Sequence, residues 1–335
     1  MPSPRRTLVP VNSGVHYHCV SRVVDRNFVF GTHERDVFRK ILRQVEGFTG
    51  VRVLTWTILS NHFHVLVEVP PQPAAPLTDD EIIDRCRSLY SRDGMIAIEW
   101  EFGQAQRIGG AALERQREKY LKRMWDLSEF MKTLKQKFSR WFNRKHERVG
   151  TLWESRFKSL LVEGSWNCLL KVAAYIDLNA VRAGLVDDPK DYRWCGYGEA
   201  VAGDRLARRN LARVLVEVKP DATWRDIGPR YRKILFGIGE EHSGRAGISR
   251  EAVAKVWESG GKLTLTQLLR CRVRYLTDGL AIGSAAFIES VFVSEREAFS
   301  GGRSTGSRKM VGGDWGELRI ARALRREPVS PPRDG

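Results

Sequence analysis

The chain has 335 residues and a formal net charge of +16, from 56 Lys and Arg against 40 Asp and Glu. That length suggests about two domains, 42% hydrophobic residues fill a packed core, and no apolar run approaches the roughly 20 residues that span a bilayer, so a soluble protein without a membrane partner is expected. So positive a charge points to a polyanion, and nucleic acid is favoured because the basic residues lie among aromatics and helix signals.

The start, Met1 to Arg6, lacks the apolar stretch of a secretion signal, so a cytoplasmic, nucleoid-associated protein is expected. Cys19, Cys86, Cys168, Cys195 and Cys271 are scattered without a Cys-x-x-Cys pair. They read as small buried hydrophobes, not as a disulfide framework or a zinc ribbon.

Val15 to Arg22 reads as a first strand. His16 and His18 alternate on it, but with no downstream partner to assign they are preferred as ordinary strand histidines; Arg22, on the same face, is a candidate DNA contact. Asp36 to Phe48 has helical spacing. Val51 to Trp56 then leads into Ile58 to Val69, as one bent strand or a paired ladder. Here His62-Phe63-His64 puts two imidazoles on one face and Phe63, Val65 and Val67 on the other. Two neutral imidazoles two residues apart can grip one divalent cation. Taken alone, the pair reads more readily as ordinary strand histidines.

The proline cluster from Pro70 to Pro76 stops strand pairing, and the charged stretch 77–124 reads as an inserted helical hairpin. Leu127 to Phe142 predicts an amphipathic helix whose second face gathers Lys132, Lys135, Gln136, Arg140 and Asn143. In Arg148 to Ser159, Trp153, Arg156, Phe157 and Lys158 interleave charge with rings that can stack on single-stranded bases. At least one of Trp153 and Phe157 is expected to be a core anchor instead.

Ser165 and Gly184 are the expected cap and stop of a further helix. Leu169, Val172, Ala173 and Ile176 form its apolar stripe, while Lys171, Tyr175, Asn179 and Arg182 fall on a polar face. Tyr175 and Asn179 are neighbours four apart. A phenol there can attack a phosphate while the amide oxygen joins a hard cation, although a single helical tyrosine is more often simply packed.

With these residues in place the chain resembles the single-tyrosine HUH transposases, and most of all their REP-associated tyrosine transposase branch within the IS200-like family. Three segments carry the resemblance: Leu59 to Leu66, Gly150 to Ser159 and Tyr175 to Val186. Their order and spacing agree with the family across roughly Val11 to Tyr197. Ala180 departs from it, since relatives commonly have proline after the asparagine, and so does the 77–124 insertion. The resemblance implies an α+β fold, a ferredoxin-like or RRM-like antiparallel sheet with flanking helices. It implies that His62, His64 and Asn179 hold Mg²⁺ or Mn²⁺, and that Tyr175 is the nucleophile forming a 5′-phosphotyrosine. It also implies single-stranded, hairpin-containing DNA as substrate and a monomer or homodimer; on the residue reading above, Arg22, Lys132, Lys135, Arg140, Asn143, Trp153, Arg156 and Lys158 are the side chains expected to contact that DNA. Two other readings stay open: a catalytically silent hairpin DNA- or RNA-binding relative, and a metal-dependent phosphodiesterase that uses water.

On this reading residues 1–200 form the transposase domain, and a helical C-terminal domain follows over 222–328. Leu263 to Ile288 reads as helix, glycine-containing turn, helix. It is either a DNA-binding helix-turn-helix or an ordinary packed helical pair.

Overall fold

Alternation of apolar residues sets the central strands. β1 (Val15–Arg22), β2 (Arg52–Ile58) and β3 (His62–Val69) form an antiparallel group in the order β2-β3-β1, and β4 (Lys158–Val162) pairs with the free side of β1. Of the two arrangements open for Val51 to Val69, the paired ladder is the one that forms, as the β2–β3 hairpin. The structure, a computed structural model, describes residues 14–215, 217, 219–236, 256, 258, 263–299, 301–322 and 328–331. The charged start, on which the expected cytoplasmic location rests, lies outside the described residues.

Cross-strand partners share a face, so the register puts His62 opposite Arg22, His64 opposite Val20, and Lys158 opposite Val20 from the other side. Phe63, Val65 and Val67 point the other way, into a core with Phe38 and Leu42 of α1 (Thr32–Thr49) and Phe130, Leu134 and Phe138 of α5 (Leu127–Lys145). α1 ends at Gly50, whose φ of 72° closes the helix through its N–H to the Glu46 carbonyl. A Cβ there would lie 2.9 Å from Trp125 Nε1 and Arg85. The insertion is three helices, α2 (Asp79–Leu89), α3 (Arg92–Ile108) and α4 (Gly110–Leu121), where a hairpin was expected. Each has its own start signal; Thr78 and Glu81 make a capping box on α2.

The imidazole face is covered by α6 (Trp166–Asp177). It packs on β2 and β3 and shares a core with α8 (Gly196–Val201), α9 (Arg205–Ala212) and α10 (Trp224–Phe236). The single helix expected from Ser165 to Gly184 breaks at Leu178 (ψ 2°), and a short turn, α7 (Asn179–Arg182), follows. The break seats Asp177, a fully buried carboxylate. It accepts from Thr55 Oγ1 at 2.8 and 3.0 Å, the Tyr231 hydroxyl at 2.5 Å and the Tyr197 N–H at 3.1 Å.

Burial pushes the Asp177 pKa up to about 7 from 3.8, in spite of those donors. A raised folded pKa favours the protonated acid in the native state. Its stabilisation is fully present below pH 3.8 and is lost as pH rises through about 7. Urea unfolding of the wild type and Asp177→Asn, compared between those two pH values, is expected to show the wild type losing ground to the variant by up to about 4 kcal/mol. A difference independent of pH would mean that folding leaves the Asp177 pKa unshifted.

The C-terminal region corrects an expectation. Where helix, turn, helix was read, the chain runs α11 (Leu265–Arg270), β5 (Arg272–Val273), α12 (Tyr275–Asp278), β6 (Ala281–Gly283) and α13 (Ala285–Ser294). β6 lies parallel to β4 and antiparallel to β8 (Arg319–Ile320), which pairs with β7 (Arg308–Lys309). The result is a seven-stranded, mainly antiparallel α+β sheet ordered β2-β3-β1-β4-β6-β8-β7, continuous across the expected domain boundary. β5 pairs with β9 (Val329–Ser330) in a small second sheet. Gly283, expected in the turn, pairs with Arg319 as part of β6, where a Cβ would meet Glu163 and Phe287 at 2.6 Å. Among the described residues no helix is long and apolar enough to cross a membrane.

Candidate active site

His62 and His64 stand on one face of β3 with ring centroids 5.2 Å apart. His18, the diagonal cross-strand neighbour on β1, joins them. Its Nε2 lies 2.9 Å from His64 Nδ1, and the two rings stack at 5.1 Å. The preferred reading of His18 as an ordinary strand residue overlooked this, because the contact spans 46 residues. On the other side Asn61 Oδ1 lies 2.7 Å from His62 Nδ1. Both imidazoles of the expected pair thus have Nδ1 engaged, which leaves Nε2 as the ring atom available to a metal.

Burial, the largest cause, lowers the pKa of all three rings. It takes His18 and His62 down to about 3 and His64 well below the ordinary value. Arg182 adds to the effect at all three, Arg22 at His62 and His64, and Arg272 at His62. The imidazoles are therefore neutral, as metal ligands must be. The cluster sits in the field of three guanidinium groups, which favours an anion. Arg272 comes from β5, in the region read as a separate domain.

α6 brings Tyr175 to the same cluster, its ring centroid 6.4 Å from that of His18. On the face expected to be polar, Tyr175 and Asn179 are both buried, 2% and 7% exposed. The Arg182 guanidinium lies 3.9 Å over the Tyr175 ring, and it donates to the Tyr175 carbonyl at 2.7 Å and the Leu269 carbonyl at 2.6 Å. The Asn179 amide nitrogen donates to the Ile176 carbonyl at 3.1 Å, so its oxygen is the atom it can offer a ligand. Among the described residues no group of three or more His, Cys, Asp or Glu side chains could hold a metal ion. The expected set has only two residues of those types. Its chemistry, two neutral imidazoles and an amide oxygen, fits a divalent cation, and the mixed nitrogen and oxygen donors suit Mn²⁺ better than Mg²⁺.

The expected DNA contacts divide. Arg22 and Lys158 share the imidazole face, and Lys158 pairs with Asp278 at 2.5 Å. Lys132, Lys135, Arg140 and Asn143 lie on α5, across the sheet from the imidazoles. Arg140 is exposed there, and Lys132 is exposed but paired with Glu129 at 2.8 Å. Lys135, its pKa pushed down to about 8 by burial, donates to the Ser155 carbonyl and lies over the Trp153 ring. Asn143 Nδ2 donates to the Gly150 carbonyl at 2.9 Å. Trp153 corrects the stacking expectation. Its ring is packed among Phe30, Phe63 and Phe138, and Nε1 donates to Ser139 Oγ at 2.7 Å, so it anchors the loop to α5. Arg156 is exposed.

Residues 11–91 match the family model described as "Transposase IS200 like". The matched segment holds His18, Asn61, His62 and His64, while Tyr175 and Asn179 lie beyond it. No curated protein matches the chain. A solved structure, "Structure of the REP associates tyrosine transposase bound to a REP hairpin", aligns over 61% of this chain and 87% of that one, with 15% identity and a TM-score of 0.37.

Proposed function

We propose that the chain cleaves and rejoins single-stranded, hairpin-containing DNA through Tyr175, assisted by a divalent cation held by His62, His64 and Asn179. The observation that carries this reading is the convergence of two neutral imidazoles with Tyr175 on one sheet face, inside a segment that begins with the IS200-like match. The bound cation would supply Lewis acidity to the scissile phosphate. Arg22, Arg182 and Arg272 orient and neutralise that phosphate. Tyr175 Oη attacks phosphorus, the bond from phosphorus to the 3′ oxygen breaks, the phenol proton goes by way of solvent to the departing 3′-hydroxyl, and a 5′-phosphotyrosine remains. A second 3′-hydroxyl reverses the step and joins strands without a nucleotide cofactor. Because Tyr175 is buried, strand entry displaces the Arg182 guanidinium from the ring face.

That burial also favours a second reading, a catalytically silent protein that binds hairpin DNA or RNA. Incubation of the protein with labelled hairpin DNA and Mn²⁺, followed by a denaturing gel, separates the two. A covalent adduct is expected; binding without an adduct favours the silent protein, and strand cleavage without one favours attack by water. Arg272→Ala is expected to weaken DNA binding and to reduce the salt dependence of affinity by about one unit of slope. Fluorescence anisotropy across a salt series measures this, and an unchanged slope would remove Arg272 from the phosphate path.

A further inference from the structure

Asn61 occupies the turn between β2 and β3 and makes two side-chain hydrogen bonds of opposite sense. Its Nδ2 donates to the Arg26 carbonyl at 2.9 Å, and its Oδ1 faces His62 Nδ1 at 2.7 Å. A backbone carbonyl only accepts, so the nitrogen end of the amide must point at Arg26 and the oxygen end at His62. An amide oxygen also only accepts, so His62 must carry its proton on Nδ1. The tautomer of His62 is thereby dictated by a carbonyl 36 positions earlier in the chain.

That carbonyl belongs to a strained loop. Asp25 and Arg26 have φ of 55° and 58°, a left-handed conformation that non-glycine residues adopt only where their surroundings hold them in it. Three bonds to the β2–β3 turn hold it: Asn61 Nδ2 to the Arg26 carbonyl, Val23 N–H to the Asn61 carbonyl at 2.9 Å, and Phe30 N–H to the Ser60 carbonyl at 3.0 Å. Phe28, at the loop tip, is 82% exposed.

We propose that Asn61 is a positioning residue that locks His62 as the Nδ1–H tautomer, presents Nε2 to the cation, and couples that ligand to the Val24–Phe28 loop. The metal part rests on the reading above; the tautomer part does not. Long-range ¹H–¹⁵N correlation spectra of the metal-free, histidine-labelled chain at neutral pH read the tautomer directly. His62 is expected as Nδ1–H in the wild type, and Asn61→Ala is expected to convert it toward the Nε2–H form that imidazole otherwise favours. Asn61→Asp keeps the acceptor for His62 but loses the donor to Arg26. It is expected to preserve the tautomer while hydrogen exchange in the Val24–Phe28 loop speeds up, a split that a general loss of packing would not give. Mn²⁺ affinity, read by electron paramagnetic resonance, is expected to weaken about 10- to 100-fold in Asn61→Ala and much less in Asn61→Asp. A wild-type His62 found as Nε2–H overturns the proposal even if Asn61→Ala fails to fold, and so does a tautomer unmoved by Asn61→Ala. A wild type that shows Nδ1–H yet binds no Mn²⁺ supports the lock and overturns the metal reading alone.

Discussion

Tyr175→Phe is expected to abolish the covalent protein–DNA adduct and to lower strand cleavage by on the order of 10⁴-fold or more, since loss of a nucleophile removes the step it performs. The ring stays, with its packing in the α6 core and the Arg182 guanidinium over its face. Thermal stability and hairpin binding are therefore expected to stay close to those of the wild type. The contrast makes the variant informative: an adduct undiminished by Tyr175→Phe would mean that another residue attacks, and cleavage that survives without an adduct would mean that water does. Circular dichroism melting and anisotropy on the same samples separate loss of chemistry from loss of fold.

His64→Ala is expected to have the second largest effect, about 100-fold or more in Mn²⁺ affinity with a comparable or larger loss of cleavage, because one of two imidazole donors disappears. The substitution also leaves His18 Nε2 without its partner in a buried site, which costs about 1–3 kcal/mol of stability. His64→Gln restores a polar partner for His18 without restoring imidazole. It is expected to recover most of the stability and little of the Mn²⁺ affinity. If Mn²⁺ binds His64→Ala as tightly as the wild type, His64 is not a ligand, and the metal site proposed on β3 is wrong.

Much of the local structure follows from short-range patterns. β1 runs over the expected Val15 to Arg22, and the helix expected from Leu127 forms as Leu127–Lys145. In both, a repeat of 2 or 3.6 residues suffices to place the apolar face. The His62-Phe63-His64 alternation likewise puts the imidazoles on one side and Phe63 in the core. The misreadings have long-range causes. Trp153 carries the same signal whether it stacks on a base or on Phe138, and only its neighbours decide. The turn expected in the C-terminal region becomes strand β6 because β4 offers it an edge more than a hundred residues earlier in the chain. Tyr175 sits on a helix face that is polar by composition, yet the Arg182 guanidinium, itself held by the Leu269 carbonyl, closes over its ring.

The sequence by itself determined that one strand presents His62 and His64 on a single face and that a helix presents Tyr175, since those placements depend on residue type and local period. Only the tertiary structure decided who meets whom: His18 against His64, Asn61 between Arg26 and His62, and Arg272 from the C-terminal region beside β3. Such meetings depend on strand register and on which layer covers which sheet face. Register and layer order are set by the summed burial of the whole chain, and no short stretch of it encodes them.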